Sequence, residues 1–307
     1  MKFATIDIGS NAARLLISEV YPEPQRVDIR KVSLVRVPLR LGFDVFQRNR
    51  ISKEKAGDLR HTMQAYRHLI DAHHVVDYKA CATSAMRTAE NGPELVSELE
   101  SATGLAIDII DGEREARIIY AAHLAYHYQK HRKYLYIDVG GGSTEMSLFA
   151  DEQFLESRSF EIGTIRMLEG RVDPEEWVRM ESWVKSITTP HRHVEAIGTG
   201  GNINKMHKMS DKKVGIPLTT EYLQQQRDHI ARMSVEDRIN VLKLRADRAD
   251  VIVPACDIYL FALRKTGIRK IHVPRIGLVD GLAYLLYERH VNGHPVPLIE
   301  KPGQDAE

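Results

Sequence analysis

With 307 residues, 43% of them hydrophobic and 28% charged, the chain exceeds one ordinary core and suits two domains with a cleft between them. Lys and Arg total 43 against 42 Asp and Glu, a formal net charge of +1, which excludes a global field drawing the protein to nucleic acid or membrane; an anion site must be local. Two cysteines, Cys81 and Cys256, no apolar run of the ~20 residues a membrane span needs and no charged-then-apolar leader at Met1 together read as a reduced, cytoplasmic protein.

The opening "KFATIDIGSNAARLLISEV" predicts strand, turn, strand: two runs of β-formers joined at Gly-Ser-Asn. Residues 52–73 space Leu59, Met63, Tyr66 and Ile70 at helical intervals, with Ser52 and Lys55 at the start and no full capping box. "YKACATSAM" reads as strand and loop, "GPELVSELESATG" as a helix closed by Gly104, and "LAIDII" as a strand. After the helical "EREARIIYAAHLAYHYQKH", the segment "KYLYIDVGGGSTEMSLFAD" repeats the opening. With Asp7 on Asp138, Ile6 falls on Ile137, Gly9 on Gly140, Leu15 on Met146 and Ile17 on Leu148. The echo predicts a duplicated α/β unit: lobes over 1–128 and 129–292, then a polar tail over 293–307. "HVEAIGTGGNINKM" adds a third strand-glycine-helix transition, "RADVIVPACDIYLFALRKTG" a long apolar helix, and "LVDGLAYLLYERHV" a stretch suited to a core or a homodimer contact.

Glycine admits positive φ and carries no side chain to hold a ligand away, so consecutive amides can converge on an anion. In "DVGGGSTE", Asp138 and Glu145 add hard oxygen ligands for Mg²⁺ or Mn²⁺, while Ser143 and Thr144 add hydroxyl donors for phosphate. Arg14 takes the place of Glu145 in the earlier copy, so one hairpin offers a guanidinium fork and the other a carboxylate. "GTGGN", around Gly200, is a further backbone contact at a helix start, followed by a basic run of Lys205, His207, Lys208, Lys212 and Lys213. "CATSAMR" has the C-x5-R spacing of cysteine phosphatases but lacks loop glycines and a histidine beside Cys81, so Arg87 reads better as a phosphate contact. In "IIDGEREAR", Glu113 and Glu115 share the first helical turn, either one suited to orient water or to meet the helix dipole. His123 and His127 stand four apart without a third ligand in reach, which argues against metal binding there.

Taken in order, "IDIGSNAARLLI", "LRLG", "ATSAMRTAENG", "IIDGEREAR", "IDVGGGSTE", "IGTGGNINK" and "RADVIVPA" resemble the motifs of the exopolyphosphatase and guanosine pentaphosphate phosphohydrolase family. The resemblance implies an actin-like ATPase fold of two RNase H-like lobes with phosphate in the interlobe cleft. It implies Glu115 as general base, a Mg²⁺ site at Asp138 and Glu145, and Arg87 as a phosphate contact. The backbones of Gly9, Ser10 and Asn11 and of Gly140, Gly141, Gly142 and Ser143 become the two phosphate loops. Three departures stand out: Asp111 and Arg114 replace a serine and an acid beside Glu115, "VPRIGLVDGL" lacks the usual arginine, and the C-terminal helical domains of longer members do not follow. The expected activity is release of terminal phosphate from inorganic polyphosphate, with guanosine pentaphosphate as the alternative substrate. The competing readings are an ATP phosphotransferase of the same fold and a non-catalytic polyphosphate or alarmone sensor.

Overall fold

A computed structural model of the protein describes residues 1–23, 26–127, 132–150, 153–191 and 193–293. It divides into one unit of Met1–Tyr128 with Ile276–Glu307 and another of Gln129–Arg275.

In the first unit β1 (Lys2–Ile8) turns back as β2 (Ala13–Glu23) and continues into β3 (Arg26–Val37), while β4 (Asp77–Ala82) and β5 (Ile107–Ile109) extend the sheet in the order β3-β2-β1-β4-β5. β4 lies parallel to β1 and therefore needs a crossover, which the helices Leu41–Arg48 and Lys53–Ala72 supply. The second of these buries Leu59, Met63, Tyr66 and Ile70, the spaced residues of the sequence pattern, and the Ser52 side chain accepts from the Lys55 amide. Beyond β4 the chain forms a short helix, Ser84–Thr88, where a loop was expected. Five residues are too few to display a 3.6-residue period.

The second unit carries β6 (Lys133–Val139), β7 (Thr144–Ala150), β8 (Gln153–Phe160), β9 (Val194–Thr199), β10 (Leu218–Thr219) and β11 (Lys270–His272), ordered β8-β7-β6-β9-β11-β10. Apart from the added edge strand, this is the order of the first sheet. Leu135, Ile137, Met146 and Leu148 point to one face, where they join Trp183 and Val184 of the helix Pro174–Thr188 and Ile258 and Tyr259 of the helix Ile252–Thr266. Because side chains alternate along a strand, Asp138 and Glu145 fall on the opposite face.

The second lobe does not extend to residue 292 as expected, since the chain rejoins the first unit at Ile276. The helix Leu278–Asn292 sets Ala283, Leu286 and Tyr287 against Phe3, Val20 and Ile29, and the Thr5 hydroxyl donates to the Val279 carbonyl at 2.9 Å. Its apolar residues thus cover the first sheet and do not form a free dimer surface; sequence adjacency to the second unit carried no information about which sheet lacked a cover. A Cβ at Gly281 would lie 2.0 Å from the Ile118 carbonyl oxygen, so this helix and Gly112–His127 meet at a point where only glycine fits. Gly281→Ala should therefore destabilise the protein by about 1–3 kcal/mol or more, the range for forced overpacking, read as a lower denaturation midpoint. The polar tail lies outside the described residues, Gly293 apart, and among the described residues no helix is long and apolar enough to cross a membrane.

Candidate active site

The two hairpins share one register: Asp7 pairs with Arg14 across β1 and β2, and Asp138 with Glu145 across β6 and β7. Both turns close alike, Gly9 N–H donating to the Ala12 carbonyl at 3.2 Å and Gly140 N–H to the Ser143 carbonyl at 2.9 Å. Their remaining carbonyls are held from one side by a following short helix. In the first turn the Gly42 amide reaches the Ser10 carbonyl (2.8 Å) and the Arg40 amide the Asn11 carbonyl (3.0 Å). In the second, Thr164 N–H reaches the Gly140 carbonyl (3.0 Å), Ile165 N–H that of Gly141 (2.8 Å), and the Arg166 side-chain Nε that of Gly142 (2.9 Å). In a trans peptide the N–H points opposite to the C=O, so fixing the carbonyls on one side aims the amides to the other. Among the described residues the amides of Gly141, Gly142 and Ser143 meet no backbone acceptor. That arrangement is an anion cradle.

The charges differ between the copies. Asp7 is buried and ion-paired to Arg14, which neutralises the first hairpin internally. In the second, two carboxylates face each other across the ladder, an arrangement that costs free energy between like charges unless a cation or strong donors compensate. Thr199 Oγ1 donates to Asp138 Oδ1 at 2.8 Å; Ser143 Oγ and Ser159 Oγ donate to Glu145 Oε1 at 2.6 and 2.9 Å. Behind Thr199, the Tyr259 hydroxyl donates to its carbonyl, and burial, reinforced by the Asp138 charge, pushes the phenol far above its usual pKa. Gly200, at φ 104°, packs beside Asp138, where a Cβ would stand 3.1 Å from Oδ1.

Several expected roles change. Thr144 does not offer its hydroxyl to a ligand: the side chain is fully buried and donates to the Ile162 carbonyl at 2.5 Å. The Ser143 hydroxyl likewise serves Glu145, which leaves the backbone amides as the outward donors of this loop. In the basic run, His207 is fully buried between the Ile216 carbonyl (3.0 Å) and Arg275 (3.2 Å), and Lys212 reaches the Pro217 carbonyl at 2.9 Å. Neither belongs to a polyanion surface. The side chains of His123 and His127 lie outside the described residues.

In the first unit, Glu115 sits at the start of the helix Gly112–His127 and is buried. Asp111 caps that helix, its Oδ1 accepting from Arg114 N–H at 2.8 Å, so the aspartate does the capping work a serine does. Glu113 instead pairs with Arg117 at 2.8 Å on a half-exposed face, and Arg114 lies 3.7 Å from Asp108. Arg87 Nη1 donates to the Ile110 carbonyl at 2.6 Å, tying its guanidinium to the segment that leads into the Glu115 helix. Cys81 is buried in β4, where burial pushes its thiol up to about 12, so it is an inert core residue. Cys81→Ala should leave any activity of this site at the wild-type level; a large loss would restore the cysteine mechanism.

Sequence reading missed Ser159, Thr199, Gly163 and Arg166. Thr199 was within reach, as the last residue of β9, just before the glycine pair. Ser159 lies on β8, whose mostly exposed residues give no strong strand pattern.

Comparison with known proteins agrees with this architecture. The Ppx/GppA phosphatase family matches residues 23–290. A protein of Mycobacterium tuberculosis (strain ATCC 25618 / H37Rv) named Exopolyphosphatase 1 is 25% identical over 317 residues, covering 95% of this chain and 90% of its own length. The crystal structure of the Aquifex aeolicus member of the Ppx/GppA family superposes with a TM-score of 0.75 at 25% identity, covering 95% of this chain and 99% of that one. An exopolyphosphatase structure from Cytophaga hutchinsonii gives a TM-score of 0.82 at 22% identity over 98% and 100% of the two chains, a likeness of fold. Duplicated sheets in the order of an actin-like fold, glycine turns with outward amides and a match over most of the chain lead to one assignment: the protein belongs to the Ppx/GppA phosphatase family.

Proposed function

We propose that the protein is a metal-dependent phosphoanhydride hydrolase that releases terminal phosphate from inorganic polyphosphate. The observation that carries this reading is the replacement of the internal Asp7–Arg14 ion pair by the facing carboxylates Asp138 and Glu145 beside an amide-lined glycine turn. Two hard oxygen donors on adjacent strands, each held in place by hydroxyl donors, fit a divalent cation such as Mg²⁺. When bound, Mg²⁺ supplies charge neutralisation at the phosphate oxygens. The amides of Gly141, Gly142 and Ser143 hold the terminal phosphoryl group, with the Gly9–Asn11 turn, Arg14 and Arg87 contributing to the neighbouring phosphates. Glu115 orients a water molecule and accepts its proton as the oxygen attacks phosphorus. The bridging P–O bond breaks, and the leaving phosphate oxygen departs with the shortened chain.

Support for polyphosphate comes from the relatives named as exopolyphosphatases and from the cation Arg248, which lies beside Gly201 in the second unit. Guanosine pentaphosphate is the alternative, because the same machinery would remove its 5′-terminal phosphate. Initial rates of phosphate release from the two substrates, measured side by side on purified protein with and without Mg²⁺, test the proposal. Faster release from polyphosphate, abolished by chelation, is expected. Release from guanosine pentaphosphate alone moves the assignment to the alternative, and tight binding without release from either makes the protein a sensor.

A further inference from the structure

The triple-glycine turn is supported from behind by a buried cation. In the first turn the carbonyls of Ser10 and Asn11 are held by the backbone amides of Gly42 and Arg40, and the Arg40 guanidinium lies over the Phe43 ring, 4.1 Å from its centroid. In the second, backbone amides hold Gly140 and Gly141, but the carbonyl of Gly142 accepts from the side chain of Arg166. That side chain is only 12% exposed. Its other edge faces Glu161 at 3.5 Å, an acid that is 69% exposed and so well screened by water. Burial lowers the guanidinium's pKa, and arginine still remains charged because its ordinary value is so high.

We propose, building on the phosphohydrolase reading above, that Arg166 is a positioning residue that polarises the phosphate-binding turn from behind. The carbonyl of Gly142 and the N–H of Ser143 belong to one planar peptide. A charged donor on the carbonyl oxygen draws electron density through that peptide and makes the Ser143 N–H a stronger donor toward an anion on the opposite side. The same bond fixes the plane of the peptide, so the amide is aimed before the phosphate arrives. Arg166 thereby carries positive charge to the cradle without touching the substrate, which leaves the front of the turn open. The first turn has Arg14 held by Asp7 on its ligand-bearing strands; the second, whose strands carry two acids, receives its compensating cation from the following helix.

The test compares wild type with Arg166→Gln, Arg166→Lys and Arg166→Ala, measuring the Kd for inorganic phosphate by calorimetry in Mg²⁺, kcat and KM on polyphosphate, and melting temperature without ligand. Gln, which retains an N–H donor and loses the charge, should weaken phosphate binding on the order of ten-fold, about the difference between a charge-assisted and a neutral hydrogen bond. Lys should fall between Gln and wild type, and added guanidinium ion should restore part of the Ala variant's phosphate affinity. Wild-type phosphate affinity in Arg166→Gln overturns the inference, as does an equal loss in all three variants without rescue, which marks a purely structural role. Should Arg166→Gln fail to fold, the Lys variant and the rescue carry the same comparison. A wild-type protein that neither binds nor releases phosphate overturns the hydrolase reading itself, whereas normal wild-type release with unaltered variants overturns only the role of Arg166.

Discussion

Glu115→Gln should reduce turnover by about 10² to 10⁴-fold while leaving phosphate and polyphosphate affinity near wild type, the range expected when a general base is removed without loss of binding groups. Glutamine has nearly the same volume and can occupy the same buried position at the start of the helix Gly112–His127. It still offers a carbonyl oxygen to hold water in place, and it cannot accept the proton. Glu113→Gln is the matched control. Its carboxylate is half-exposed and occupied by Arg117, so the change removes only a helical pair worth about 0.3–0.5 kcal/mol. Rapid-mixing measurement of phosphate release, with binding followed by calorimetry, separates the two. Near-normal turnover in Glu115→Gln would remove the general base from the mechanism, and a loss in Glu113→Gln as large as that in Glu115→Gln would reverse the assignment between them.

Gly163→Ala should damage the site without touching any charged group. Its backbone, at φ −134° and ψ 163°, is extended and open to any residue, so the constraint is one of space. A Cβ there would lie 2.4 Å from both the Gly141 carbonyl oxygen and the Gly142 carbonyl carbon. Both obstacles are backbone, and no rotamer change relieves them. The turn must therefore move, disturbing the bonds from Thr164 N–H to Gly140 and from Ile165 N–H to Gly141 that hold its carbonyls back. A displacement of this kind should cost about 1–3 kcal/mol of stability and on the order of 10² in kcat/KM, since misplacing a binding group by about 1 Å has that effect. Denaturant titration and steady-state kinetics on the same preparation would show it. Wild-type values in both would mean that the turn tolerates the methyl group and is less rigidly supported than these contacts require.

Much of this site was legible in the chain. The correspondence of Asp7 with Asp138 and of Arg14 with Glu145 followed from aligning two short segments, and the structure sets each pair directly across its hairpin, since register is dictated by the length of the turn and the alternation of the apolar residues. The helix over Lys53–Ala72 was equally plain from its spaced apolar residues. The hydroxyls were read less well. Ser143 and Thr144 resemble phosphate donors in a one-dimensional motif, yet one serves Glu145 and the other the Ile162 carbonyl. Which acceptor a short side chain meets depends on the strand and loop brought beside it, and β8 with the segment after it carried little signal.

The sequence by itself determined the repeated hairpins, the glycine turns and the acids that distinguish the second copy from the first. These are local matters of periodicity, turn chemistry and residue type, settled within a few residues along the chain. Only the tertiary structure decided that the helix Leu278–Asn292 returns to the first sheet, that Gly163 and Arg166 back the triple-glycine turn, and that His207 is a core residue. Each of those depends on contacts between segments distant in sequence, where close packing and the need to satisfy buried polar groups select a partner that no local pattern specifies.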